Sequence, residues 1–291
     1  MSLVDTIISQ LASYTGKPHM LKAHQQLGGG CINQTQKLET SQGDYFVKFN
    51  RANMLDMFEA EAEGLNELAM AQAVRIPVVM FSGVSDDHAY LVMEYIQPGQ
   101  AASLNEFGQQ LATMHRYTKK QFGWHRDNTI GSTPQTNNWS DRWVEFYRNQ
   151  RLGYQIELAR DNGIGNKRVE KVQRLMGSLD VFFSQPPVAS VLHGDLWSGN
   201  YSTSIDGEVV IYDPAVYFGD READMAMTEL FGGFGAGFYR GYESVWPLDA
   251  GYQVRKTLYN LYHILNHYNL FGGGYASQAE RMTDQLLSEI R

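Results

Sequence analysis

Between Val191 and Ala215 the chain runs VLHGDLWSGNYSTSIDGEVVIYDPA. Tyr201 to Ser204 and Val209 to Tyr212 can pair as two strands, with Asp206-Gly207 as the turn signal between them. A hairpin returns to its starting point, so Asn200, just before the first strand, and Asp213, just after the second, are expected side by side. Asp195 lies five residues before Asn200, in a loop short enough to face the same space. Two carboxylates and an amide oxygen converging on one point suit a hard cation such as Mg²⁺. One of the acids can instead orient a hydroxyl nucleophile. The competing reading is local: Asp and Asn favour loops because they cap turns.

Two residues outside this stretch bear on the choice. In YFVKFN, residues 45–50, Tyr45, Val47 and Phe49 share one face of a strand, and Phe46 and Lys48 share the other. A lysine there is ordinarily a snorkelling edge residue. In the helical stretch FEAEAEGLNELAMA, Phe58, Ala62, Leu65, Leu68 and Ala69 form an apolar stripe, and Glu61 falls on it. An acid on a packed face needs a partner, and Lys48 on the preceding strand is the expected one. The glycine turn at Gly28, Gly29 and Gly30 would let backbone amides approach phosphates closely.

The elements that must position these groups divide into two sets. MSLVDTIISQLASYTG places Leu3, Ile7, Ile8 and Leu11 on one helix face, with Gly16 as its stop. Strands are expected between Leu27 and Asn50 and at VVMFSGV and AYLVMEYI, with the Glu61 helix inserted among them and QPGQ at 97–100 as a connector. Beyond it the pattern is helical: LNEFGQQLATMHRY, WVEFYRNQRLGYQIELAR and RVEKVQRLMGSLDVFF, then helices again from about Asp220. The expected fold is α+β in two lobes, a strand-rich unit over 1–96 and a mainly helical unit over 97–291.

Composition narrows the function classes. The 291 residues carry 24 Lys and Arg against 32 Asp and Glu, a net charge of −8 without any basic run, which argues against nucleic acid and anionic membranes as partners. Mean hydropathy is −0.38 and no stretch is long enough to span a bilayer. The N-terminus lacks the pattern of a signal peptide, and Cys31 is the single cysteine, so a reducing compartment, the cytoplasm, is expected. No G-x-x-x-x-G-K-[ST] loop and no G-x-S-x-G elbow is present.

The order glycine turn, strand Lys, helix Glu, HGD-x4-N and then Asp resembles the protein-kinase-like plan, with HGDLWSGN in place of H-R-D-L-x-x-x-N and IYDPA in place of D-F-G. HGD followed by I-x-D-P is similar to the small-molecule kinases of the aminoglycoside and choline kinase type. The closer resemblance is to the fructosamine kinase (ketosamine 3-kinase) family. It is carried by LGGGCIN, MFEAEAEGL, FGWHRDNTIGSTPQTN, WVEFYRNQRL, HGDLWSGN, GDREADMAM, LFGGF and LYHILNHYNLFG, which cover most of the chain in the family's order.

That resemblance implies an ATP-dependent, Mg²⁺-dependent kinase that phosphorylates the 3-hydroxyl of ketosamines, free or on protein lysines, and so repairs glycated amines. Lys48 would hold the α- and β-phosphates with Glu61 fixing its ammonium, and Gly28, Gly29, Gly30 and Cys31 would cover the phosphates. The backbone near Glu94, Tyr95 and Ile96 would bond the adenine. Asp195 would be the base, with Asn200 and Asp213 as metal ligands. Trp197 is placed to wall the sugar pocket by stacking and cation–π contact, and His267 is expected to line it. Cys31 would allow a redox-sensitive, disulfide-linked homodimer, the alternative being a monomer in which it is a small apolar residue. The rival readings are another small-molecule kinase of this fold and a nucleotide-binding pseudokinase.

Several other groups are read as structural. The helix LYNLYHILNHYNLFG has Leu258, Leu261, Tyr262 and Leu265 as its packing stripe, with His263 and His267 on another side. The two histidines could bind zinc, but no acid or cysteine accompanies them, and a helix-surface or core histidine is the plainer reading. Asp224 is read as structural and Asp220 is left open. GGFGAG at 232–237 is read as a turn, because it lacks a preceding strand and dinucleotide spacing.

Overall fold

The computed structural model describes residues 2–28, 32–100 and 102–290, so the expectations for Gly29, Gly30 and Cys31 lie outside the described residues. The chain opens on α1 (Leu3–Thr15), capped by Ser2 in a reciprocal bond with Asp5 and closed by Gly16 in the left-handed conformation. Five strands follow: β1 (Leu21–Leu27), β2 (Gln34–Thr40), β3 (Gly43–Arg51), β4 (Val79–Ser85) and β5 (His88–Glu94). They form an antiparallel sheet in the order β1-β2-β3-β5-β4, and α2 (Leu55–Ala69) crosses between β3 and β4. β1 was not expected. Its sequence LKAHQQL has no apolar alternation because the strand is an exposed edge with no buried face to encode.

The two faces of β3 do different work. Tyr45, Val47 and Phe49 pack with Ile7, Leu11, Leu38, Tyr90 and Val92 into a small core under α1. Phe46 faces the main core, and Lys48 lies on that same side, toward α2. The period-two alternation thus separates packing from chemistry within one strand.

The remaining chain is mainly helical. α3 (Leu104–Met114) is followed by short strands β6 (Thr118–Lys119), β7 (Asn128–Ile130) and β8 (Thr133–Gln135). A long helical run then comprises α4 (Trp143–Phe146), a π-helical stretch (Tyr147–Gly153) and α5 (Tyr154–Asp161). α6 (Asn166–Met176) ends near Gly177, so the expected single helix to Phe183 is divided, and Leu179–Phe182 forms a separate short turn. Next come β9 (Ala189–Leu192), the β10 (Tyr201–Thr203) and β11 (Val209–Ile211) hairpin, β12 (Tyr217–Gly219), α7 (Glu222–Leu230), α8 (Ala236–Val245), α9 (Tyr252–Phe271) and α10 (Tyr275–Glu289). β9 is central in the order β12-β9-β6 and delivers His193.

α9 is the middle of this helical unit, and residues 258–266 are buried all round. His263 is therefore inside the core, not on a second side of the helix, and only His267 reaches partly exposed ground. The segment after β5 is fastened to the hairpin: Gly99 N–H donates to Thr203 C=O and Ile205 N–H to Gln97 C=O, both at 2.8 Å. Among the described residues no helix is long and apolar enough to cross a membrane.

Candidate active site

Tyr201 pairs with Ile211, Ser202 with Val210 and Thr203 with Val209, so the hairpin closes as its turn signal requires. Tyr212 N–H donates to Asn200 C=O at 3.1 Å, and Asn200 Nδ2 lies 3.5 Å from Asp213 C=O. The same amide nitrogen donates to the Asp195 backbone carbonyl at 2.8 Å and to its carboxylate Oδ2 at 3.2 Å. Asp195, Asn200 and Asp213 are thus one cluster, with the Asn200 side-chain nitrogen turned to Asp195.

Lys48 joins this cluster from the sheet. Its Nζ donates to Glu61 Oε1 at 2.5 Å and also to the Asp213 carboxylate. Lys48 and Glu61 are largely buried, whereas the Asp213 side chain is 43% exposed and so keeps an open side. Burial alone would push the Lys48 ammonium toward its neutral form, but the Asp213 and Glu61 charges outweigh it and raise its pKa. The lysine is a fixed cation. Asp213 itself adopts φ 58°, the left-handed region that a non-glycine residue occupies only under constraint.

His193 and Gly194 fix the loop that carries Asp195. The His193 ring lies between Tyr212 C=O, 2.9 Å from Nε2, and the Asp195 amide, 3.3 Å from Nδ1. This geometry suits a neutral ring that donates through Nε2–H and accepts at Nδ1, and burial lowers the His193 pKa in the same sense. Gly194 sits at φ 82°, and a Cβ there would fall 2.1 Å from Ala215 C=O, so a side-chain-bearing residue cannot stand between His193 and Asp195. Asp224, at the start of α7, accepts the His193 amide at 2.7 Å and the Gly194 amide at 2.8 Å, with His115 Nε2 3.2 Å away. Its structural character was expected; what it holds was not, because the partners lie about thirty positions away. Asp220 accepts from the Tyr259 hydroxyl and from Glu222 N–H, and so ties α7 to α9.

Asp195, like Asp213, is half-buried. Burial first, and then the Asp213 charge, push its carboxyl up to about 7 against the opposing bond from Asn200. A carboxylate so placed is a proton acceptor with real driving force near neutrality. Among the described residues no group of three or more His, Cys, Asp or Glu forms a metal cage. One amide oxygen and one carboxylate suit instead a cation such as Mg²⁺ that retains waters and phosphate oxygens in its shell.

Trp197, 38% exposed, stands at the mouth of the loop. Its ring meets Phe231 edge-on at 6.2 Å, Phe231 lies 4.9 Å from His267, and His267 lies 5.2 Å from Tyr275 and 5.7 Å from Phe271. Trp197 and His267 therefore belong to one aromatic row whose link is Phe231, a residue of the LFGGF motif that sequence reasoning did not assign. His267 Nδ1 lies 2.8 Å from His263 C=O, and burial lowers its pKa, so the ring is neutral with Nε2 as an acceptor.

The other described residues expected to meet nucleotide lie at the ends of β1 and β5. Gly28 is exposed at the end of β1. After β5, Glu94 N–H bonds Val78 C=O at 2.8 Å, Tyr95 N–H bonds Asp44 C=O at 3.2 Å, and the Lys37 ammonium sits 4.6 Å above the Tyr95 ring. The amides of Glu94 and Tyr95 are thus spoken for within the sheet, and Ile96 is the next along the linker.

A family model described as fructosamine kinase matches residues 3–289. A probable ketoamine kinase of Synechocystis is 48% identical, over 97% of this chain and 96% of its own. A chloroplastic protein-ribulosamine 3-kinase of Arabidopsis thaliana is 43% identical, over 95% of this chain and 86% of its own. A crystal structure from Haemophilus somnus with a provisional fructosamine-3-kinase name superposes with a TM-score of 0.88 at 29% identity, covering 97% of this chain and 96% of that one.

Proposed function

The chain belongs to the fructosamine kinase family, and from that premise we propose how its residues perform ATP-dependent phosphorylation of a ketosamine 3-hydroxyl. The fold is the two-lobed kinase-like α+β arrangement. The single observation that carries the site assignment is the bridge made by Lys48 between Glu61 and Asp213, beside Asp195 and Asn200.

In this reading residues 1–96 bind nucleotide and 97–291 supply the catalytic loop and acceptor pocket. Lys48, oriented by Glu61, would hold the α- and β-phosphates, Gly28 would help to cover them, and the Ile96 amide would meet the adenine edge. Asn200 Oδ1 and the open side of Asp213 would be the donors for Mg²⁺. Bound MgATP supplies the transferable γ-phosphoryl group, with the cation offsetting its charge. Asp195 accepts the proton of the 3-hydroxyl as that oxygen bonds the γ-phosphorus in line and the bond to the departing ADP oxygen breaks, while His193 holds the Asp195 amide and Asn200 its carboxylate. The rate gain comes mostly from positioning, since phosphoryl transfer through a loose transition state asks little covalent work of the protein.

The Trp197–Phe231–His267 row forms the sugar wall. A ketosamine carries a protonatable secondary amine beside its ring, and aromatic faces attract such a cation while stacking on the sugar. Ribulosamine and erythrulosamine are the preferred acceptors in this proposal, and the cytoplasm the working compartment. An ATP-consumption assay run in parallel on a ribulosamine, a fructosamine and kanamycin tests it. Turnover of the ketosamines alone is expected. Turnover of kanamycin alone would reassign the acceptor class, and bound ATP without any turnover would make the chain a pseudokinase.

A further inference from the structure

α2, which carries Glu61, is held from two directions. Glu61 points to the sheet and Lys48, while Asp56, Glu63 and Glu67 recur at near-helical spacing on another face, about 120–160° round the axis from it. Every one of these three acids is engaged by one short segment of the helical unit. Arg126 Nη1 meets Glu63 at 2.5 Å and Nη2 meets Asp56 at 2.6 Å. His125 Nε2 lies 2.6 Å from the other Glu63 oxygen. Glu67 accepts from Trp124 Nε1 at 3.1 Å, Tyr117 hydroxyl at 2.9 Å and Lys119 at 3.1 Å.

The continuation of that segment, the β7–β8 hairpin, grips the other half of the nucleotide site. Asn128 Nδ2 donates to Val216 C=O at 2.8 Å, and Gln135 Nε2 donates to Ala215 C=O at 3.1 Å. These are the residues that follow Asp213-Pro214, and Ala215 N–H in turn bonds His193 C=O at 2.8 Å. The two gripping points are stitched together. Asn137 Nδ2 bonds Arg126 C=O at 3.1 Å and Asn128 Oδ1 at 3.0 Å, and the fully buried Arg151 holds Asn137 Oδ1 at 2.7 Å. Gly64 of α2 closes the circuit, because a Cβ there would lie 3.1 Å from the Val216 side chain.

We propose that residues 117–137 are a positioning element that clamps α2 and the Asp213–Val216 turn to each other, so that Lys48, Glu61 and Asp213 stand assembled before nucleotide arrives. Arg126 and Glu67 are its positioning residues. Exposed ion pairs are individually weak, but here one guanidinium spans two carboxylates and one carboxylate takes three donors, all directed at a single helix. The alternative to a clamp is a helix free to swing, with Glu61 leaving Lys48 and each nucleotide bearing the cost of drawing it back. The clamp needs no modification to set it. It rests on the kinase reading only for the name of the ligand.

The test compares nucleotide binding with turnover in Arg126→Gln, Arg126→Lys and Glu67→Gln, with Arg142→Gln as a control. Arg142 also makes two carboxylate contacts, with Glu145 and Asp180, but none to α2. Calorimetric titration with ADP is expected to show roughly tenfold weaker binding for Arg126→Gln and Glu67→Gln. The KM for ATP should rise in parallel while the KM for ketosamine stays within about twofold, and Arg126→Lys should recover part of the loss. Arg142→Gln should match the wild type. Nucleotide affinity within twofold of wild type in both Arg126→Gln and Glu67→Gln would overturn the clamp. So would equal rises in both KM values together with a lowered Tm, since that is what general loosening produces. If the wild type turned over no ketosamine, the acceptor assignment would fail, and the ADP titrations would still decide the clamp.

Discussion

Asp224 Oδ1 accepts the Gly194 amide at 2.8 Å, and its other oxygen accepts His193 N–H. The carboxylate is buried, so the strand-to-loop turn before Asp195 is held by a charge with no route to solvent. Removing it leaves two amides and His115 without their acceptor.

Asp224→Ala is expected to lower stability by about 3–5 kcal/mol, the range for breaking a buried charged contact. Burial alone would raise the Asp224 pKa, but the His115 and backbone contacts outweigh it and hold the carboxyl below its usual value. A depressed folded-state pKa gives stability that is present above the unfolded value and lost as pH falls through the folded one, so this contribution starts to fall below about pH 4 and is gone only below the depressed folded value. Thermal unfolding from pH 3 to 7 checks both points: the gap between wild type and Asp224→Ala should narrow at the acid end.

Gly194→Ala tests the close approach behind the loop that carries Asp195. Its Cβ would sit 2.1 Å from Ala215 C=O, at a φ that disfavours any side chain. Loss of turnover is expected, with a Tm drop equivalent to roughly 3 kcal/mol. Near-normal activity and stability would mean that the loop lies elsewhere.

The proton-accepting role proposed for Asp195 fixes a pH profile. A carboxyl pushed up to about 7 must be ionised to act, so kcat/KM for the ketosamine should fall as pH drops, with an acid limb between about 5 and 7 that moves down as Mg²⁺ is raised. A flat profile from pH 5 to 8.5 would remove Asp195 as the titrating base.

Trp197→Ala and Phe231→Ala should raise the KM for the ketosamine by roughly tenfold while leaving the KM for ATP near wild type, since a cation–π and stacking wall contributes about 1 kcal/mol or more when partly desolvated. Steady-state kinetics with each substrate varied separately reads the split. Equal effects on both substrates would place the row outside the acceptor pocket.

How much of this was legible in the chain depends on the range of the interaction. Alternation in YFVKFN put Lys48 opposite Tyr45, Val47 and Phe49, and the helical stripe put Glu61 among apolar residues, so the Lys48–Glu61 contact could be read from two local periodicities. The Asp206-Gly207 turn likewise closed the hairpin that joins Asn200 to Asp213. What escaped is long-range or unpatterned. β1 has no buried face and hence no alternation. α9 is buried on all sides over 258–266, so its apolar stripe could not show that His263 is internal. Phe231 acquires its place between Trp197 and His267 only when α7 ends against α9. The contacts of Arg126 and Gln135 to α2 and Ala215 run between segments tens of residues apart, and a lone Arg or Gln in a loop carries no sign of them.

The most direct measurement is the identity of the phosphorylated product. Wild-type protein and Asp195→Asn would be incubated with MgATP and a ribulosamine, and the product resolved by ³¹P and two-dimensional NMR. The expected result is a single phosphomonoester on O3 from the wild type, with the rate reduced by at least about 10²-fold in Asp195→Asn. Phosphate on another hydroxyl, or an Asp195→Asn rate near that of the wild type, would contradict the assignment of this site as a ketosamine 3-kinase with Asp195 as its base.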